Sequence, residues 1–239
     1  MTSPRIRTVL FDFDRTLGQA KSHYGMYVRA AQEHGVAMTE AQLGAAELDD
    51  AWARWETPQG PDHSDASTDA ASFAEVRQEI AHVRFRAAGI DCSDEQLDQI
   101  TARIAELEGH ADEYMLYDDT VPALKRLGRS GVQSLIVSNH IWRLPEIVRA
   151  LGVSARFEGV LTSASVGVRK PHPRIFEEAM QLAGTGPAET IYVGDSYKHD
   201  VLGARGAGMD AILIDREGRT KGEQLDVTVI HTLEELQLP

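Results

Sequence analysis

The chain has 239 residues, which is long enough to bury a substantial hydrophobic core. It carries 24 Lys and Arg residues against 37 Asp and Glu residues, and the formal net charge is -13. No basic patch interrupts this acidic excess, so the sequence argues against nucleic acid or an anionic membrane surface as a partner.

The sequence carries no targeting or membrane signal that we recognise. Residues 1–11, MTSPRIRTVLF, lack the apolar segment of a signal peptide, and no apolar run approaches the roughly 20 residues of a membrane span. Cys92 is the only cysteine, so no intrachain disulfide can form, and we interpret it as a small packing residue. We therefore expect a soluble, cytoplasmic protein with no membrane partner.

The first predicted element is a strand at residues 7–13, RTVLFDF, where β-branched and aromatic residues accumulate without helical spacing. A long stretch with helical periodicity follows. Capping boxes at residues 39–42 and 93–96 start two helices, and MYVRAAQEHG indicates another helix that ends at Gly35. A further helix is predicted from the spacing of Phe73, Val76, Ile80 and Val83. Because such helices must bury their apolar stripes, we predict an inserted helical cap domain at residues 19–115.

Two further features of this insertion carry predictions of their own. Residues 57–69 are rich in Pro, Gly, Ser and Asp, which predicts an exposed loop. Trp52 and Trp55 are interpreted as core residues of the insertion rather than as a platform for substrate.

Strands and helices alternate after the insertion. Strands are predicted at residues 132–139, 157–163, 190–195 and 210–215, each separated from the next by a helical segment. This rhythm predicts an α/β fold, in which a Rossmann-like parallel sheet has helices on both faces. Residues 1–18 and 116–239 would form this core.

The predicted strands end in polar residues. Asp12 and Asp14 follow the first strand, Ser138 and Asn139 end the second, and Asp195 follows the fourth. Ligands of such sheets bind beyond the carboxyl ends of the strands, so we expect these side chains to meet there. Clustered carboxylates need a positive partner, and the candidates are Lys170 and a divalent cation. Oxygen ligands from Asp12, Asp14 and Asp195 suit Mg²⁺.

These segments together resemble a known family. DFDRT at residues 12–16, IVSN at 136–139, VRKPHPRIF around Lys170, and VGDSYKHDVLGARGAGM from residue 193 resemble the four ordered motifs of the haloacid dehalogenase (HAD) superfamily. The helical insertion resembles the cap of the phosphoglycolate phosphatase and β-phosphoglucomutase group. The resemblance covers the whole α/β portion of the chain and implies a Mg²⁺-dependent phosphatase.

The resemblance also implies roles for the matching residues. Asp12 would be the nucleophile that forms an aspartyl phosphate, and Asp14 would be the general acid and base, with its backbone carbonyl at the metal. Asp195 would complete the metal shell, and Asp200 would be a second-sphere carboxylate that orients either metal-bound water or Lys170. The remaining residues would bind the phosphoryl group: Thr16, Ser138, Asn139 and Lys170.

Two positions depart from the family pattern. Arg15 stands where the family commonly has Gly, and it could bind an anionic group of the substrate or point away from the site. His172 stands where the family often has an acidic residue, and we interpret it as a helix-start residue.

We expect the partner to be a small phosphorylated metabolite, whose identity the motifs do not select, and the protein to be a monomer or a homodimer. The main alternative is a phosphomutase, which could use the same nucleophile. A 2-haloacid dehalogenase is disfavoured because that branch lacks an acidic residue at the position of Asp14. A noncatalytic binding module is disfavoured by the intact set of Asp12, Asp14, Lys170 and Asp195.

Overall fold

The computed structural model describes residues 6–22, 24–45 and 70–239. The chain divides into two compact units, one made of Met1–Gln19 and Met115–Pro239 and the other of Ala20–Tyr114. We refer to them as the α/β unit and the helical unit.

The strands among the described residues are, in sequence order, β1 Thr8–Phe11, β2 Gly18–Ala20, β3 Tyr114–Leu116, β4 Gln133–Ser138, β5 Gly159–Thr162, β6 Thr190–Gly194, β7 Asp210–Ile214 and β8 Thr228–Ile230. The α-helices among the described residues are α1 Gly25–Glu33, α2 Glu40–Ala45, α3 Ala70–Ala87, α4 Asp94–Leu107, α5 Thr120–Arg129, α6 Leu144–Ala150, α7 Ser163–Val166, α8 Pro173–Ala183 and α9 Leu202–Gly206. A π-helical turn, Tyr197–Val201, leads directly into α9.

The α/β unit is built on a six-stranded sheet with the order β5-β4-β1-β6-β7-β8. Every pairing in this sheet is parallel. All four residues of the central strand β1 are buried, as expected for a parallel strand covered on both faces. The predicted α/β fold with a Rossmann-like parallel sheet is therefore confirmed.

One face of the sheet packs against α8 and α9. Leu10, Leu135 and Tyr192 come from three neighbouring strands and contact the apolar side of α8, which includes Phe176 and Met180. His172 caps the start of α8, because its Nδ1 accepts a hydrogen bond from the backbone N–H of Arg174 at 3.2 Å. This agrees with the interpretation of His172 as a helix-start residue.

The helical unit has its own core, to which the four helices that the structure describes in this unit contribute. Its buried residues are Met26, Tyr27, Ala30, Ala31, Val36, Met38, Leu43, Ala81, Phe85, Ile90, Leu97, Ile100, Ile104 and Leu107. Both predicted capping boxes form: Ser93 and Gln96 exchange bonds at the start of α4, and Thr39 and Gln42 do so at α2. Cys92 packs beside this core as a partly buried residue, in keeping with a packing role.

Other predictions on the insertion lie outside the described residues. Trp52, Trp55 and the loop at residues 57–69 fall there, as do the side chains of Phe73, Val76 and Ile80. Strands β2, β3 and β8 were not predicted, since each has only three residues. Within the described ranges, no helix combines the length and the apolar character that crossing a bilayer requires.

Candidate active site

The predicted site residues meet at the carboxyl edge of three adjacent strands. β1 lies between β4 and β6, with Phe11 opposite Ile136 on one side and Val193 on the other. Asp12 follows β1 directly, Ser138 ends β4, and Asp195 follows β6. This register places residues that are far apart in the sequence at one edge of the sheet.

Lys170 is buried among the acidic side chains of this edge. Its Nζ lies 2.9 Å from Asp12 Oδ1 and 2.6 Å from Asp200 Oδ1, and it donates to the Tyr192 hydroxyl at 2.8 Å. Burial alone would lower the pKa of Lys170. The negative charges of Asp12 and Asp200 have the larger, opposite effect, so the pKa of Lys170 lies above its usual value. Lys170 is therefore a fixed positive charge beside Asp12.

Asn139 holds the backbone that carries Lys170. Its side-chain Oδ1 accepts from the Lys170 N–H at 2.7 Å, and its Nδ2 donates to the Lys170 carbonyl at 3.0 Å. The sequence predicted that Asn139 binds substrate, whereas the contact that the structure shows is with Lys170. Both polar ends of the amide serve to place the lysine.

Asp200 is almost completely buried by the π-helical turn after β6. Its Oδ2 accepts from the Ser196 N–H at 2.9 Å, while Oδ1 binds Lys170. Gly194 is required beside it, because a Cβ at that position would lie 2.3 Å from Asp200 Oδ2. The glycine at the end of β6 thus makes room for the carboxylate.

Three carboxylates form a group that could hold a cation. One oxygen each from Asp12, Asp195 and Asp200 lies within 4.8 Å of the others. Burial, together with the charges of Asp12 and Asp200, raises the pKa of Asp195 to about 6, although Arg219 opposes this shift. The nearby cations do not fully neutralise the repulsion among these three carboxylates, and carboxylate oxygens are the hard ligands that Mg²⁺ prefers. The predicted set of Asp12, Asp14 and Asp195 differs from this group, which contains the Asp200 carboxylate instead of that of Asp14.

The Asp14 carboxylate is not a member of the three-carboxylate group. Its side chain is 47% exposed, and its Oδ2 lies 3.7 Å from Nε2 of His140, a buried residue. The sequence analysis did not identify His140, which directly follows the Ser138–Asn139 motif. His140 lies two residues after the end of β4, and residues beyond the strand ends are the ones that contact a ligand in this fold, so its position in the sequence was a usable signal.

The loop after β1 places Thr16 and Arg15 differently. Thr16 is fully buried, and its Oγ1 has no hydrogen-bond partner among the residues that the structure describes. Arg15 has a φ of 55°, a left-handed conformation that glycine adopts without strain. Its Nη1 lies 3.9 Å from Asp195 Oδ2 and its side chain is 38% exposed.

Arg219 is a charged residue of this site that the sequence analysis missed. Its Nη2 donates to Asp195 Oδ2 at 2.7 Å. The loop after β7 is held by Asp215, whose carboxylate accepts from the Arg219 N–H at 2.9 Å, from the Thr220 N–H at 2.9 Å and from the Thr220 hydroxyl at 2.7 Å. A search for charged residues just beyond each strand end would have included it.

Comparison with known proteins identifies the family. The family model described as haloacid dehalogenase-like hydrolase matches residues 6–208, which is most of the chain. The protein belongs to the haloacid dehalogenase-like hydrolase family. This HAD hydrolase carries the acidic group, Lys170 and Asn139 within the matched residues.

Two curated relatives show how far the likeness extends. A bovine protein named haloacid dehalogenase-like hydrolase domain-containing protein 3 is 42% identical over 91 residues, which are 38% of this chain and 36% of the relative. A glyceraldehyde 3-phosphate phosphatase from Methanothermobacter thermautotrophicus is 37% identical over 132 residues, which are 51% of this chain and 57% of the relative. The match thus spans 36% of the length of the first relative and 57% of the length of the second.

A solved structure supports the fold over nearly the whole length. The HAD hydrolase YfnB from Bacillus subtilis, solved with bound magnesium, has a TM-score of 0.70 at 19% identity, and the match covers 97% of this chain and 96% of that one. At this identity the likeness concerns the fold alone.

Proposed function

We propose that this HAD hydrolase is a Mg²⁺-dependent phosphatase that hydrolyses a small phosphorylated metabolite through an aspartyl phosphate on Asp12. The observation that carries the proposal is the placement of Asp12. Its carboxylate lies 2.9 Å from the buried ammonium of Lys170 and belongs to the three-carboxylate group, at the edge of the sheet where ligands bind. The phosphatase name of one relative supports a phosphate ester as substrate.

Asp12, Asp195 and Asp200 would hold the metal, together with the carbonyl of Asp14, and Thr16, Ser138 and Arg15 would contact the substrate. Bound Mg²⁺ would neutralise the clustered negative charge and screen the phosphoryl oxygens from the attacking carboxylate. Lys170 would supply a second, permanent positive charge beside the nucleophile. Asn139 and Asp200 would fix that charge in place, since both bind the lysine.

The proposed reaction has two displacements. Asp12 attacks phosphorus, the bond from phosphorus to the ester oxygen breaks, and the departing oxygen takes a proton from the carboxyl group of Asp14. Asp14, now ionised, then accepts a proton from a water molecule as that water attacks phosphorus. The bond from phosphorus to Asp12 breaks, which releases inorganic phosphate and restores the carboxylate.

We infer that the helical unit, Ala20–Tyr114, serves as the cap that selects the leaving group. It is a compact unit with its own hydrophobic core, inserted directly after the loop that carries Asp12 and Asp14. In such enzymes a separate unit can close over a site to exclude water and choose the substrate. The substrate itself is left to be identified by assay.

The proposal is tested by measuring release of inorganic phosphate from a panel of phosphate esters, with Mg²⁺ and with EDTA. We expect Mg²⁺-dependent turnover that Asp12→Asn abolishes, while Asp210→Asn, which alters an exposed carboxylate on β7, leaves it unchanged. A folded protein that releases no phosphate from any ester would contradict the proposal. Formation of an isomeric sugar phosphate without phosphate release would instead favour a phosphomutase.

A further inference from the structure

We propose that Arg84 of the helical unit, together with the rings of Tyr24 and Tyr27, is a binding site for a small oxyanion, the phosphate or carboxylate group of a metabolite. The inference concerns the helical unit by itself and goes beyond the proposed function, because this site needs neither Mg²⁺ nor turnover. It starts from the burial of Arg84, which lies on α3 and of which only 7% is exposed.

The guanidinium of Arg84 lacks an acidic partner. Its Nε is buried and has no hydrogen-bond partner, and no carboxylate of the residues that the structure describes forms an ion pair with it. Other arginines of this unit, which lie nearer to solvent, do have such partners: Arg29 pairs with Glu113, Arg103 with Glu33, and Arg86 with Asp94. Burial makes a counter-charge more important, so Arg84 is the cation of this set that gains most from a bound anion.

Two tyrosine rings hold the positive charge without satisfying its donors. Cζ of Arg84 lies 5.6 Å from the centroid of the Tyr24 ring and 5.1 Å from that of the Tyr27 ring. The two rings also contact each other, with centroids 6.2 Å apart and planes at 76°. A ring attracts a cation but offers no oxygen to the N–H groups, which lie in the plane of the guanidinium. These donors are therefore suited to a ligand that supplies oxygen atoms.

The surroundings of Arg84 fix its position and limit the size of the ligand. Ala81 and Phe85, on the same helix, belong to the core of the unit, and the Arg84 carbonyl accepts from the Ala88 N–H at 2.9 Å. A donor that is already held in place loses little freedom when it binds a ligand. The small exposed fraction of Arg84 admits only a small group, and the guanidinium fork matches two oxygens of a phosphate or carboxylate.

The first test observes the Nε–H group of Arg84 directly, by ¹H–¹⁵N NMR of the full-length protein in EDTA. The signal is assigned as the one missing from both Arg84→Lys and Arg84→Met. Sodium phosphate and sodium acetate are titrated separately, with NaCl as the reference salt at equal ionic strength. Without Mg²⁺, the negative charge of the three-carboxylate group repels these anions from the other unit.

We expect the Arg84 signal to move and saturate at anion concentrations about tenfold or more below those at which chloride moves it, because a two-oxygen anion can accept two hydrogen bonds. The anion that saturates first identifies the preferred group, phosphate or carboxylate. An Arg84 signal that follows neither anion would overturn the proposal, and this measurement on the wild type remains decisive if Arg84→Met does not fold.

The second test measures thermal unfolding in EDTA with the preferred anion and with NaCl. The anion should raise the melting temperature of the wild type and of Arg86→Met, which changes an exposed arginine on the same helix, but not that of Arg84→Met. An equal rise in Arg84→Met and the wild type would place the anion elsewhere and contradict the site. The proposed function fails separately, through a wild type that releases no phosphate from any ester with Mg²⁺ present.

Discussion

Arg216 and Asp119 form a two-point ion pair in which Nη1 and Nη2 lie 2.9 and 3.0 Å from the two carboxylate oxygens. Each side chain is 10% exposed. Arg216 also donates to the carbonyl of Thr16 at 2.6 Å, and its guanidinium lies 3.8 Å from the centroid of the Tyr117 ring. Asp119 in turn accepts from the Leu233 N–H at 2.7 Å. The pair thus ties the loop after β1 to the segments after β3 and β8.

We predict that Arg216→Met destabilises the protein by about 3 kcal/mol, because removal of one partner leaves the buried Asp119 carboxylate without its counter-charge. Equilibrium unfolding in urea at pH 7 measures this difference. Arg129→Met, at an exposed position at the end of α5, is the matched control and should cost less than about 0.5 kcal/mol. If both variants unfold at the same urea concentration, Arg216 and Asp119 do not contribute as a pair.

This pair also shows what the sequence could and could not predict. Asp12, Ser138 and Asp195 were found because each follows an apolar run, and parallel strands bring such ends to one edge. Arg216 and Arg219 come from an irregular loop, where no periodicity indicates which side chain turns inward. His140 was missed for a related reason, since its contact with Asp14 depends on tertiary packing around Phe13.

The positions of the acidic side chains relative to one another were also only partly predictable from the sequence. Strand alternation placed Asp12 and Asp14 on one side for as long as the strand continued. β1 ends at Phe11, however, so the two carboxylates are no longer related by strand geometry. Asp200, which the resemblance to the family had placed in the second sphere, lies beside Asp12 because the π-helical turn at Tyr197–Val201 carries it inward, and a turn of this kind leaves no clear pattern in the sequence.

Lys170 is expected to be required for both stability and activity. Lys170→Met would leave Asp12 and Asp200 buried without their shared positive partner, which should destabilise the fold by about 3–5 kcal/mol. The rate of phosphate release should fall by a factor of about 100 or more, because a fixed charge beside the nucleophile is lost. Thermal unfolding and phosphate release measure the two effects.

The matched control for this change is Lys125→Met, which replaces an exposed lysine on α5. It should leave both the melting temperature and the rate close to those of the wild type. Lys170→Arg should not restore activity, since the Lys170 ammonium is buried among Asp12, Asp200 and Tyr192, and a guanidinium is larger and planar. A Lys170→Met protein with wild-type stability would show that the two carboxylates need no buried counter-charge.

Binding of Mg²⁺ should be measurable as stabilisation, without any substrate. A ligand that binds the folded state alone at 100 times its Kd stabilises that state by about 2.7 kcal/mol. We expect the melting temperature to rise with Mg²⁺ in the wild type and in Asp210→Asn, but much less in Asp195→Asn, which removes one member of the three-carboxylate group. Equal stabilisation of Asp195→Asn and the wild type would place the cation elsewhere.

Asp215 should contribute to stability in a way that depends on pH. Burial tends to raise its pKa, but hydrogen bonds from Thr220 and Arg219 outweigh this effect and lower the pKa to about 2. The unfolded chain has a pKa of about 3.9 at this residue, and the difference corresponds to about 2.6 kcal/mol. The folded state therefore gains this stability fully above about pH 4, and the gain is lost as the pH falls toward 2.

The comparison of wild type with Asp215→Asn in urea at pH 7, 4 and 3 tests this expectation. The variant should be less stable by about 2.6 kcal/mol at pH 7, and the difference in unfolding free energy should narrow between pH 4 and pH 3 as the wild-type carboxylate begins to be protonated. Glu234→Gln removes an exposed negative charge near the C-terminus and is the control for a change in net charge. A gap that stays constant from pH 7 to pH 3 would mean that the carboxylate charge of Asp215 does not hold the Arg219 loop.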